Sequence, residues 1–289
     1  MIVFLNGHFL PEAEAVVPVN DRGFLLGDGL FETMRVAGGK PFRFAQHLER
    51  MTRGADFLKI KSPFTPKELQ KFAGQLIGQN KTSDAILRVT LTRGPGERGY
   101  AFNGECEPTL AMTLHAAPSA ENHIEWNLIT SSYRIPAADP LSSFKTTSKI
   151  LHVMARAEAK EKNADEALLV NTNGEVAETT SGNLFWVYHD KICTVPTGRG
   201  VLPGITRAVV LEICRSLELE TNKRVIKPEA LRNSEGIFIT QSALGIIPVS
   251  AFDGEPVNPS PLVDQIAQAY NEMLQGREHR SAGCQPANS

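Results

Sequence analysis

Lys145 stands among short hydroxylated side chains, Ser142, Ser143, Thr146 and Thr147, which leave an amine reachable and able to add to a carbonyl. Further along, Glu178 lies in GEVAETTSGNLF, after a turn expected at Asn173-Gly174 and before a strand. A carboxylate placed beside a ring nitrogen keeps that nitrogen protonated and lets the ring accept electrons. The run GVLPGITR, ending at Arg207, leads into an amphipathic helix whose first N–H groups have no partner within it, so the Ile205 and Thr206 amides and the Thr206 hydroxyl suit a phosphate. Ser242, in ITQSALGIIPV, could add a hydroxyl and an amide, and Arg50, in HLERM, could add charge. Taken singly, these are a solvated lysine, a hairpin glutamate and a capped turn. Taken together they could hold both ends of pyridoxal 5'-phosphate, which carries an aldehyde, a pyridine nitrogen and a phosphate.

Periodicity supplies the elements that must position these residues. Two short strands flank Asn6-Gly7, with the apolar run Ala15-Val16-Val17 following, and Asp21-Arg22-Gly23 reads as a turn. Phe31 to Val36 alternates as a strand, Gly38-Gly39 turns, and Pro41 to Phe44 returns as another. Leu48, Met51, Ala55 and Leu58 recur at helical spacing, which puts Arg50 on a helix from Ala45 to Leu58. A second helix opens near Thr65 and runs through Leu76, and strands Ile86 to Thr92 and Thr109 to His115 bracket the loop RGPGERGY. Later strands are expected at Trp126 to Ser131, Ala167 to Asn171, Asn183 to Tyr188, Ile192 to Val195, Val225-Ile226 and Gly236 to Thr240. Helices are expected just after Lys145, burying Ile150, Val153, Met154 and Ala157, and at Thr206 to Leu217, Pro228 to Arg232 and Leu262 to Leu274. The sum is an α/β chain: a small N-terminal α+β domain over residues 1–115, a linker at 116–123, a larger α/β domain over 124–276 and a polar, disordered tail over 277–289.

Composition narrows the partners. With Lys+Arg 30 against Asp+Glu 32, the net charge of -2 recommends neither nucleic acid nor an anionic membrane, which leaves a small molecule. Cys106, Cys193, Cys214 and Cys284 form no CxxC pair and read as free thiols of a reducing compartment. The opening MIVFLNGHFL lacks a basic leader and a cleavage-like site, so a cytoplasmic location is expected. Gly27-Asp28-Gly29 lacks the third glycine of a dinucleotide fingerprint, the histidines show no HExxH, and no G-x-S-x-G occurs.

In order along the chain, NGHFL, DRGFLLGDGLFETMRV, HLERM, SFKTTSK, NADEALLVNTNGEVAETTSGNLFW, VLPGITR and ITQSALGIIPV resemble the fold type IV pyridoxal phosphate enzymes. That family includes branched-chain and D-amino acid aminotransferases and 4-amino-4-deoxychorismate lyase, and the resemblance runs from about Asn6 to Val249. It implies two domains with the cofactor between them, Lys145 as Schiff-base lysine and proton shuttle, and Glu178 as partner of the pyridine nitrogen. It further implies Arg50, Ile205, Thr206 and Ser242 at the phosphate, an amine substrate, and a homodimer. RGPGERGY and GDGLFET look like the lyases, with Arg98 offered to a substrate carboxylate and Phe31 and Glu32 as further substrate contacts. Thr146-Thr147-Ser148-Lys149 departs from the lyase run after the lysine, and Ile150 stands where branched-chain enzymes carry tyrosine. The arginine and paired histidines of the D-amino acid enzymes are not apparent. A lyase releasing 4-aminobenzoate and pyruvate is therefore the first expectation, a class IV aminotransferase the alternative, and a catalytically silent ligand-binding relative the third.

Overall fold

The computed structural model describes residues 1–102, 106–118 and 124–276. The chain builds two sheets in succession. In the first, β1 (Ile2–Leu5) and β2 (His8–Pro11) form a hairpin across Asn6-Gly7, and a short helix α1 (Arg22–Leu26) precedes β3 (Gly29–Ala37) and β4 (Lys40–Pro41). Helices α2 (Phe44–Leu58) and α3 (Pro66–Gln79) lead to β5 (Ala85–Thr92) and β6 (Thr109–Ala116). The six strands run β2-β1-β6-β5-β3-β4, all antiparallel. Strict alternation decides β3: Leu30, Glu32, Met34 and Val36 are buried, α2 packs on this strand, and Phe31, Thr33 and Arg35 point to the opposite face. Thr65 starts α3 with a capping box closed by Glu68.

The second sheet begins with β7 (Trp126–Ile135). Helix α4 (Ile150–Glu161) leads to β8 (Glu166–Asn171), β9 (Val176–Thr179), β10 (Asn183–Tyr188) and β11 (Lys191–Thr194). Then α5 (Ile205–Ser216), β12 (Thr221–Lys223), β13 (Gly236–Gln241), β14 (Gly245–Phe252), β15 (Glu255–Pro256) and α6 (Pro261–Leu274) complete the chain. The order is β12-β11-β10-β13-β14-β7-β8-β9, with β15 on β14. Strand β10 is apolar nearly throughout because both its faces are covered: Leu184 and Trp186 join a cluster with Leu168 and Ile239, and Phe185 and Val187 join another with Phe238, α5 and α6. No helix among the described residues is long and apolar enough to cross a membrane.

Several expectations are corrected here. Asp21 caps α1 by accepting from the Gly23 amide, so Asp21-Arg22-Gly23 opens a helix instead of turning the chain. The strand after Gly39 stops at Pro41, since Phe44 already begins α2. The helix after Lys145 starts five residues later, and Ile150, Val153, Met154 and Ala157 face outward while Ala155 and Ala159 fill the core. Glu178 lies within β9, not between strands, because Val176, Ala177 and Thr179 are buried beside it and pair with β8. Thr221–Lys223, rather than Val225-Ile226, pairs with β11. Strand β14 was not anticipated. The expected linker lies partly, at 119–123, and the tail wholly, outside the described residues, as does Cys284.

Candidate active site

Lys145 belongs by sequence to the connection before α4, yet its backbone is stitched to the first sheet. The Phe31 amide donates to the Lys145 carbonyl at 2.9 Å, the Thr147 amide to the Gly29 carbonyl at 2.9 Å, and Leu30 and Thr146 form an antiparallel bridge. The Thr147 hydroxyl donates to the Gly27 carbonyl at 2.7 Å. This extended segment lies against the first half of β3, and the lysine amine lies over the Phe31 ring, 4.8 Å from its centroid. Burial pushes the ammonium down to about 8, with Arg50 and Lys149 adding to the fall and Glu32 and Glu178 opposing it.

The amine opens into a cavity of about 470 Å³, the size of a cofactor pocket. One wall is Phe31, Thr33, Arg50 and Lys145; the other comes from β9, β13 and the start of α5. On that far wall Glu178 is buried, and its Oε2 accepts from the Leu202 amide at 2.9 Å and from Asn183 Nδ2 at 3.4 Å, while His152 Nε2 lies 3.6 Å from Oε1. No side chain caps α5, so its first amides are open to a ligand. Gly204 is obligatory there, since a Cβ would stand 1.9 Å from Asn183 Oδ1. Thr240 Oγ1 is buried with no partner and lines the same space, which also holds Ser242. An amine, a fixed carboxylate, an open helix N-terminus and an orphaned hydroxyl facing one cavity fit an aldehyde, a ring nitrogen and a phosphate.

Arg50 joins the two walls. Its Nε and Nη2 clasp both oxygens of Glu32, at 2.8 and 2.7 Å, and its Nη1 donates to the Pro203 carbonyl just before α5 at 2.9 Å. Burial alone would raise the Glu32 carboxyl, but hydrogen bonds from Arg50 and from His47 Nδ1, the latter at 2.6 Å, hold it at about 2. Burial holds His47 below the usual imidazole range.

Of the residues singled out in the sequence, Lys145, Glu178, Arg50, Ile205, Thr206, Ser242 and Phe31 meet at this cavity. Glu32 does not, because it lies on the opposite face of β3 from Phe31 and both its oxygens are committed to Arg50 and His47. Arg98 lies apart, lining another cavity with Arg22 and Phe102. Lys149, His152 and Arg156 also line the main cavity, and their spacing is one face of α4 and its N-cap, a signal readable as helical periodicity. Burial lowers the Lys149 ammonium, Arg50 lowers it further, and Glu178 and Asp139 oppose the shift. Thr240 and Asn183 carried no signal beyond their place in the motifs.

The model of the class IV aminotransferases matches residues 29–252. The chain belongs to that family, whose enzymes use pyridoxal 5'-phosphate. It is 32% identical to a putative branched-chain-amino-acid aminotransferase of Methanocaldococcus jannaschii, over 95% of each chain. It is 29% identical to a D-alanine aminotransferase of Staphylococcus aureus, over 94% of this chain and 98% of that one. Among solved structures, the branched-chain aminotransferase of Thermoproteus uzoniensis with norvaline superposes with a TM-score of 0.91 at 26% identity over 96% of both chains. A putative 4-amino-4-deoxychorismate lyase of Legionella pneumophila superposes at 0.85 with 27% identity, over 90% of this chain and 96% of that one.

Proposed function

We propose that this class IV enzyme transfers an amino group from a carboxylate-bearing primary amine to a keto acid. The observation that carries the reading is the shared cavity of Lys145 and Glu178, with the open N-terminus of α5 and Thr240 beside them. Ile205, Thr206, Ser242 and Arg50 would hold the phosphate, and Glu178 the ring nitrogen. Bound pyridoxal phosphate supplies an electron sink for a carbon that loses a proton. Lys145, whose amine sits near 8, takes the proton from the substrate carbon and returns one, a role that needs a group able to exist in both states near neutral pH. Phe31 packs beneath that amine and keeps water from one side of it. Arg50 and Arg156, which also line the walls, are paired with Glu32 and Glu166, so the charge that favours a substrate carboxylate comes from Lys149.

Arg98 and the loop around it line a separate cavity, not this one, so in this reading they serve the site of a second copy. A homodimer also covers exposed Phe24, Leu25, Ile150 and Val153. The free thiols of Cys106, Cys193 and Cys214 fit the cytoplasmic location expected for it. The RGPGERGY loop sustains a second reading, release of pyruvate and 4-aminobenzoate from 4-amino-4-deoxychorismate, with the same roles for Lys145 and Glu178. Purified protein loaded with pyridoxal phosphate is to be given a panel of L- and D-amino acids with 2-oxoglutarate or pyruvate, and separately the chorismate derivative. Keto acid formation that disappears in Lys145→Ala is the expected result. Product from the chorismate derivative alone would replace the first reading with the second, and silence towards every donor would remove both.

A further inference from the structure

Within the DRGFLLGDG segment, Asp21, Arg22 and Asp28 each make several side-chain hydrogen bonds. Asp21 is fully buried and accepts from the Gly23 amide at 2.7 Å, from Thr92 Oγ1 at 2.9 Å and from Thr109 Oγ1 at 2.7 Å, which fixes the start of α1 to the ends of β5 and β6. Gly23 must be glycine because a Cβ would stand 2.2 Å from Thr92 Cγ2. The anchoring directs Arg22 under the RGPGERGY loop. Its Nη1 donates to the carbonyls of Gly99 and Ala101 at 2.9 and 3.3 Å, its Nη2 to that of Tyr100 at 3.1 Å, and its Nε to Asp28 at 2.9 Å.

The rest of the loop is tied to the same point. Arg93 shares Asp28 with Arg22, donating at 2.7 and 3.0 Å, and its guanidinium lies 3.8 Å from the centroid of the Phe102 ring. The Arg22 amide donates to the Gly94 carbonyl and the Gly96 amide to the Asn20 carbonyl, at 2.9 and 3.2 Å. Gly96 has no room for a side chain, since a Cβ would meet Arg22 Cδ at 2.8 Å. The other end of the segment reaches the lysine, through the Thr147 hydroxyl on the Gly27 carbonyl.

Three consecutive carbonyls bound by one buried guanidinium make a rigid peg, because the planar fork fixes direction as well as distance. We propose that Arg22 is a positioning residue that presets the loop over residues 96–101, so that Arg98 is held ready for a substrate carboxylate before substrate arrives. The inference rests on the reading above that this loop meets the substrate. Preorganisation of this kind lowers the cost of binding and leaves the chemical step, which belongs to Lys145, untouched.

The test compares wild-type holoenzyme with Arg22→Lys and Arg22→Gln. Lysine keeps a charge for Asp28 but cannot reach three carbonyls in a fork. Both variants are expected to retain the visible absorption of bound cofactor, to raise KM for the amino donor about tenfold with kcat within about twofold, and to be cut by trypsin after Arg98 at least about tenfold faster than wild type. Unchanged KM and unchanged cleavage in either folded variant would overturn the proposal. Should neither variant fold, rapid clipping after Arg98 in native wild-type enzyme would overturn it equally, and slow clipping there would support it. Faster cleavage with no change in KM would overturn the preset Arg98 while leaving the aminotransferase reading in place, whereas wild-type enzyme inert towards all donors would remove that reading and leave the cleavage comparison to decide the peg.

Discussion

An amine that adds to an aldehyde must first be neutral, and at Lys145 the neutral form is reached through burial and the neighbouring cations, which hold the ammonium near 8. Below that value the neutral fraction changes about tenfold per pH unit, so uptake of pyridoxal phosphate by the apoprotein, followed by visible absorbance, is expected to speed up about tenfold from pH 6 to 7 and to level off above about 8.5. A flat rate over that range would contradict the role given to the amine. Linkage has the corresponding sign: the unfolded chain binds this proton more tightly, so the apoprotein gains stability as pH rises from about 8 towards the ordinary 10.5. At the other wall, Glu178→Gln keeps its neighbours Leu202 and Asn183 but can no longer balance a protonated ring nitrogen. The variant is expected to bind cofactor and lose about a hundredfold or more of its turnover, measured at saturating donor; wild-type turnover would dismiss the carboxylate from the chemistry. Single residues were legible where chemistry is rare and local, as with a lysine among hydroxyls or a Pro-Gly ahead of a helix. Glu32 was misread because a sequence states a residue's type but not which face of a strand it occupies relative to a partner such as Arg50, which is remote in the sequence.

Among the elements, α5 shows how a helix start becomes a binding device. Gly204 packs against Asn183, and Asn183 in turn donates to the Leu202 carbonyl and to Glu178, so the two ends of the cavity share one contact. In Gly204→Ala the new methyl must displace Asn183, and the affinity for pyridoxal phosphate is expected to fall at least about tenfold, roughly 1.4 kcal/mol, in an absorbance titration. Gly198→Ala, where a Cβ meets nothing within 4 Å, is the control and should bind as wild type. The long helices and central strands were readable because their periods persist over many residues. Strand β9 was not, since four buried residues offer too short a pattern, and α4 misled because Ile150, Val153 and Met154 make an apolar stripe that the single chain leaves in solvent.

That stripe is best understood at the level of the whole molecule. Phe24 and Leu25 on α1 and Ile150 at the start of α4 are all exposed, and Gly27 and Ser148, a few residues from them along the chain, pack against each other, so a second copy is proposed to cover these apolar side chains. The proposed dimer predicts sedimentation at twice the chain mass, and Phe24→Glu combined with Ile150→Glu should give a folded monomer with most of its activity gone. A fully active monomer would refute the shared site. Most of the central strands could be read from the sequence, but the stitching of Lys145 to β3 could not, since nothing in SFKTTSK announces a backbone bridge to Leu30.

That bridge has a mechanical consequence. Because Lys145 is sewn to the first sheet while Glu178 rides on the second, a cofactor held by both, as proposed, would act as a rivet through two plates, and any force sliding one plate over the other would have to shear it. Loading would then tie the fates of the two halves together: whatever loosens either one would be resisted by the grip of both.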